Sequence, residues 1–246
     1  MGNPFRIFRL HPPREAPLRD ELLSIERLEE RAKSLAGRFT VAASSRRAKS
    51  LFPRLADNAR VLRTAYATLA GDVHRGEDVT SSAEWLLDHF NLVAAEIRAV
   101  RENLPQAHYR ELPRLAQRQW VGHARVYAMA LELIRHSDSR LDRSQLVRFM
   151  NSYQSVAPLT IGELWAWPSI LRLALIENLR RLAEEILVAR DSRIAADRHG
   201  QSTRGRTNHF HRYPSPPTWH MSSVCYSGCA STACVCRRCT PPSNSI

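Results

Sequence analysis

LTIGELWAWPSILRLALIENLRRLAEEIL, residues 159–187, is the stretch whose reading decides the fold. Thr160 followed three residues on by Glu163 forms a capping box, in which each side chain takes a backbone N–H of the first helical turn. Leu159 and Leu164 stand where a hydrophobic staple places them. From Leu164 to Ile176 only Ser169 and Arg172 interrupt an apolar run. A helix apolar on every side is buried, in a core or in a membrane. Past Leu179 the pattern narrows to one apolar face, Leu182 and Ile186, with Arg180, Arg181, Glu184 and Glu185 on the solvent side. A membrane span needs about 20 nearly uncharged residues, and Glu163, Arg172 and Glu177 fall inside or at the edge of any such window. Pro168 lacks the N–H that would bond the Leu164 carbonyl and is expected to kink the helix. The expectation is a buried central helix over about residues 161–196, with a membrane span as the lesser alternative.

Working outward, the remaining text is helical too. Leu18, Leu22, Ile25, Leu28, Ala32, Leu35 and Phe39 recur at three- and four-residue steps and predict a helix over residues 20–36, which Gly37 stops. Residues 42–50 are small, polar and basic, and suggest a linker. Pro53 opens a second helix with the seam Leu55, Ala59, Leu62, Tyr66 and Leu69, ending near Gly71. Ser81 with Glu84 makes a second capping box and starts a third helix, whose buried face is Leu86, Phe90, Val93, Ile97 and Val100. Pro105 ends it, and residues 105–119 predict a short broken helix with a turn. A fourth helix over 123–136 carries the face Val126, Ala130, Leu133 and Ile134. Asp142 with Gln145 caps a fifth, which Pro158 closes. No segment alternates with period two, so no strand is expected. The architecture predicted is all-α, an irregular bundle of six or seven helices around the central one.

Three regions follow from composition: a disordered basic arm (1–19), a helical domain (20–197) and a disordered tail rich in Cys, Pro and Arg (198–246). The net charge of +12 is spread between them, because five arginines and no acid follow His199. Only Lys33 and Lys49 are lysines among the 36 basic residues. A uniform arginine bias fits a GC-rich gene as well as it fits an RNA-binding surface, and a mildly basic folded domain is the plainer reading. The first twenty residues lack the continuous apolar run of a secretory signal. The tail holds all five cysteines, Cys225, Cys229, Cys234, Cys236 and Cys239. Zinc at Cys225, Cys229, Cys236 and Cys239 competes with incidental thiols in an unstructured tail, since little apolar text supports a metal module. The abrupt loss of every acid and leucine also resembles an out-of-frame translation.

Enzyme motifs are sparse. There is no acidic Asp-x-Asp pair, no glycine loop for phosphates and no His-Glu-x-x-His. Asp138 and Asp142 read as turn and cap residues. His89 and His136 stand alone on helices. Arg172, on the dry part of the central helix, is expected to be buried and paired, with Glu177 or Asp88 as its partner, since an unpaired buried charge is very costly. The tryptophans are expected on core faces.

Several blocks resemble a known family: EWLLDHF (84–90), LPQAHYRELPRL (104–115), RVY (125–127) and YQSVAPLTIGELWAWPSILRLALIENLRRLA (153–183). The run from Ser81 to Glu185 is similar to the N-terminal region of the cyclic β-1,2-glucan synthases of alpha-proteobacteria, and residues 48–197 are covered more loosely. The family's members are large inner-membrane glycosyltransferases that use UDP-glucose. The resemblance implies a truncated, non-catalytic helical module, inactive alone, in the cytoplasm or at the cytoplasmic face of the inner membrane. Trp85, Asp88, Glu163, Trp165 and Pro168 are its family motif positions. No catalytic residue carries over, and UDP-glucose and a divalent cation are implied only for the full-length family. Expected partners are the remaining synthase domains or the inner-membrane surface, with no specific nucleic acid. The competing reading is a basic helical adaptor for RNA, an anionic membrane or a partner protein. It would need clustered arginines interleaved with exposed aromatics.

Overall fold

The computed structural model of the chain describes residues 15–42 and 49–206, with side chains as far as Asp197. Among the described residues there are seven helices: α1 (Ile25–Arg38), α2 (Phe52–His74), α3 (Ser81–Asn103), α4 (Gln106–Glu111), α5 (Arg125–Ser137), α6 (Arg143–Gln154) and α7 (Ile161–Arg206). The only β pairing among them is two isolated bridges, Val41 with Leu115 and Arg114 with Ala124, so the all-α expectation holds. No described helix is long and apolar enough to cross a membrane. Most of the arm, most of the tail, much of the 42–50 linker and the candidate zinc residues Cys225, Cys229, Cys236 and Cys239 lie outside the described residues.

Caps set the helix boundaries where the sequence supplies them. Asp142 and Gln145 form the capping box of α6, the Gln145 N–H lying 2.7 Å from the Asp142 carboxylate. At α7 the Thr160 N–H donates to Glu163 Oε2 at 2.9 Å, and the Glu163 N–H returns to Thr160 Oγ1 at 3.2 Å. Two starts shift from expectation. Helix α1 begins at Ile25, capped by Ser24, rather than at residue 20, which leaves residues 20–23 outside the helix and Leu22 exposed. Thr80 rather than Ser81 caps α3, through the Ala83 N–H. Each cap is the last hydroxyl residue before backbone φ and ψ turn helical, and its oxygen reaches the third N–H beyond it. The α5–α6 turn is made by Asp138 and Ser139, both with left-handed backbone (φ 48 and 60), and Asp138 is the C-cap of α5.

The element buried on every side is α5. Every residue from Ala124 to Ile134 is buried, including Arg125 and Glu132. Helix α7 is the longest at 46 residues, about ten beyond its expected end. It is continuous through Pro168 and buries one broad face: Ala166, Trp167, Ile170, Leu173, Ala174, Ile176 and Ala183. Its other face is open. Ile161 is 77% exposed, Trp165 80% and Leu164 40%, and Pro168 and Arg172 join them at helical spacing. The dry start expected of this helix therefore needs correction. The residues are apolar all round, but neighbours cover only part of the circumference.

Candidate functional site

Three buried carboxylates, Glu163, Glu177 and Asp72, tie α7 to its neighbours. Glu163, fully buried, receives Arg125 of α5 two-pronged: Nε to Oε1 at 2.8 Å and Nη2 to Oε2 at 2.5 Å. Arg125 Nη2 also donates to the Pro158 carbonyl at 3.0 Å. Two turns beyond Ile170, Glu177 is equally buried. It accepts from Arg54 of α2 through both oxygens, from Arg181 at 2.7 Å and from the Tyr127 hydroxyl at 2.9 Å. Further out, Arg190 Nη2 grips the buried Asp72 of α2 at 2.6 Å. A planar guanidinium matches a carboxylate fork, so each pair fixes orientation as well as distance.

The electrostatics follow from these partners. Burial alone would raise the Glu177 carboxyl, but bonds and charge from Arg54 and then Arg181 outweigh it and hold it below the ordinary range. Burial pushes the Tyr127 hydroxyl well up, and the Glu177 charge pushes it further. Burial raises Tyr153 as well, to about 12. His123 stacks on Tyr127 with centroids 5.4 Å apart. Loss of water, then the charges of Lys49, Arg54 and Arg114, lower it to about 4. Every oxygen of Glu163 and Glu177 is thus taken by a donor from another helix or the same turn. These two carboxylates hold helices together, and neither has a free oxygen.

The expected Arg172 pair is corrected by the structure. Arg172 side chain is 45% exposed and its Nε lies 3.1 Å from Glu96 of α3; neither Glu177 nor Asp88 is its partner. The physical reason is angular: Glu177 faces α2 and α5, whereas Arg172 sits on the open face of α7. Trp85 and Trp165 are likewise on the surface, 48% and 80% exposed, rather than on core faces. Of the five motif positions, Trp85, Asp88, Trp165 and Pro168 are exposed and only Glu163 is buried. His136 is buried with Nδ1 2.9 Å from the Glu21 carbonyl, and exposed His89 stacks on Trp85 at 4.6 Å. Among the described residues no three His, Cys, Asp or Glu side chains come together to hold a metal ion.

One opening is large. A groove of about 1000 Å³ has α7 as its floor, from Arg172 to Ile186, and α3 as one wall, with Trp85, Leu92 and Glu96. Arg19 and Ser139 stand on it too, and Leu175, Leu179 and Leu182 make it mainly apolar.

No family model matches the chain. It is 36% identical over 180 residues, 73% of its length, to the cyclic β-(1,2)-glucan synthase NdvB of Rhizobium meliloti. The chain is a distant homologue of part of that synthase. It spans 6% of the synthase's length.

Arg54, Arg125, Tyr127 and the groove were missed in the sequence. A signal existed for Arg125 and Glu132: both are charges inside HARVYAMALELI, where every neighbour is of core type. Nothing local marks Arg54, which reaches Glu177 across 123 positions.

Proposed function

We propose that this chain is a non-catalytic helical module of a cyclic β-1,2-glucan synthase, a scaffold on which the catalytic parts of such an enzyme are held at the inner membrane. The observation that carries the reading is the 36% identity over 180 residues at a span of only 6% of the relative. What supports a scaffolding role is the use of the buried charges: Glu163, Glu177 and Asp72 each tie α7 to α5 or α2. In the assembled enzyme UDP-glucose and its divalent cation bind elsewhere. The open face of α7, Ile161, Leu164, Trp165 and Pro168, seats against the synthase's remaining domains, which make up the other nine-tenths of the relative's length. The arginines do not favour the RNA-adaptor reading, since Arg31, Arg54, Arg125, Arg148, Arg180 and Arg190 are each spent on carboxylates of the bundle.

The test is a graft. Residues 49–197 replace the matching region of the relative synthase, and cyclic glucan made by membranes from UDP-glucose is measured. Product from the graft, and its loss with Trp165→Ser and Ile161→Ser together, is expected. A graft that folds and inserts yet makes no glucan overturns the reading, as does β-1,2-linked product from the chain incubated alone with UDP-glucose.

A further inference from the structure

Helix α2 meets α7 at Arg54–Glu177 and again at Asp72–Arg190, so the two run parallel. Residues 75–80 turn the chain back, and α3 brings Glu96 to within 3.1 Å of Arg172. Helices α3 and α7 are therefore antiparallel neighbours. The groove between them has Leu175, Leu179 and Leu182 of α7 on its floor. Its far wall is Arg19 and Ser139, and Asn178 holds that wall in place. The Leu18 N–H donates to Asn178 Oδ1 at 2.7 Å, and Asn178 Nδ2 donates to Ser139 Oγ at 3.0 Å. Helix α3 has two faces. Ala83, Leu86, Val93, Ile97 and Val100 are buried in the bundle, while Trp85 and Leu92 are 48% and 58% exposed. With the exposed Asp88 between them, they recur at three- and four-residue steps and make a ridge along the helix. Each copy of the chain thus carries an apolar trough and, beside it, a helical ridge.

We propose that the occupant of the groove is α3 of a second copy of this chain, each copy laying its Trp85–Leu92 ridge into the other's groove about a two-fold axis. Such an interface is isologous, the same patch serving on both sides. Length fits: the floor from Arg172 to Ile186 is about 21 Å long at helical rise, and the ridge from Trp85 to Glu96 about 17 Å. Direction fits as well. A two-fold axis running along the two helices lays the partner's α3 antiparallel over α7, in the register that α3 already keeps beside it. The partner's Trp85 and Leu92 then stand over the floor of Leu175, Leu179 and Leu182. Charge agrees with that register. The partner's Glu96 comes to Arg172, which already meets Glu96 of its own chain, so two arginines and two glutamates alternate about the axis. Asp88, on the flank of the ridge turned from the bundle, comes to the partner's Arg19 on the far wall. Arg19 is only loosely engaged within its own chain, 3.8 Å from Asp138 with both side chains open to water. Pairing also takes from water the two large apolar side chains that α3 exposes. The interface stops at Arg172, so it leaves the start of α7 to the contact proposed above, and dimer formation is independent of the synthase reading.

The test is sedimentation of the full chain under reducing conditions, which keep the five tail cysteines from linking copies. A species of twice the 28.0 kDa chain mass is expected, giving way to monomer on dilution. Leu92→Asp and Trp85→Ser, each at a half-exposed position, should weaken association by about tenfold or more while helicity stays unchanged. Asp88→Arg and Arg19→Glu should each weaken it alone, and the two together should restore it. With p-benzoylphenylalanine in place of Leu92, irradiation should join two chains, at Leu175, Leu179 or Leu182 of the other copy. A chain still monomeric at about 0.1 mM, or a dimer indifferent to Leu92→Asp, would overturn the proposal. So would a dimer that the double charge exchange leaves broken, or photo-crosslinks found only within one chain. A monomer that instead binds phosphatidylglycerol vesicles through Trp85 and Leu92 would overturn it too, and give the groove to lipid.

Discussion

Arg125 and Glu163 stand 38 positions apart and meet as a buried two-pronged ion pair, with Glu163 at the same time closing the capping box of α7. One carboxylate thus joins the start of the longest helix to the most buried one. Removing the arginine leaves the acid without its counter-charge in a site closed to water. Arg125→Ala should therefore cost about 3–5 kcal/mol, read as a fall in the urea midpoint. Arg125→Met with Glu163→Gln should lose less than Arg125→Ala alone, because the amide can still cap while no charge is stranded.

Tyr127 tests the second node. Its hydroxyl donates to Glu177 at 2.9 Å inside the core. Tyr127→Phe keeps the ring and the stack on His123, and removes one bond to a charged acceptor. Stability should drop by about 1.5–3 kcal/mol, measured by chemical denaturation at neutral pH.

Acid should weaken the fold in two steps with separate causes. His123 has a folded pKa of about 4, below the ordinary value of 6.5. Above pH 6.5 both states are neutral there; below it the unfolded chain takes up the proton first, so stability falls as pH drops from 6.5 to about 4. Glu177 has a folded pKa held below 4.5. Its contribution is present above 4.5 and is lost as pH falls through the lower folded value. Denaturant midpoints taken across this range should show both steps. His123→Gln should flatten the first and leave the second, and an unchanged upper step in that variant would place the proton elsewhere.

Arg172 is expected to matter little. Its pair with Glu96 is nearly half open to water, and such pairs are worth about 0–1 kcal/mol. Arg172→Ala should leave the thermal midpoint almost where it was. A loss as large as that of Arg125→Ala would mean the side chain is buried after all.

Trp165 should be silent for folding. At 80% exposure, Trp165→Ser should change stability by no more than about 0.5 kcal/mol. Any effect on glucan synthesis in the graft would then report docking and not unfolding.

The sequence by itself determined the helices, because what makes them is local. Caps at Asp142 and Thr160, the prolines at 105 and 158 and the three-and-four spacing of apolar residues all act within a turn or two of chain. It also determined that the described residues form no sheet, and the distant kinship of much of the chain to part of a glucan synthase. Only the tertiary structure decided which faces are covered. Leu164, Trp165 and Arg172 share their helix with Trp167, Ile170 and Leu173, and the local text marks the whole run as apolar. Whether a residue is dry depends on which neighbour lies over its side of the helix. The same holds for charge. Arg172 is the conspicuous cation in an apolar run, yet the buried partners of Glu163 and Glu177 come from α5 and α2, 38 and 123 positions away. A long side chain reaches across whatever the packing brings near, and helical periodicity carries no record of that.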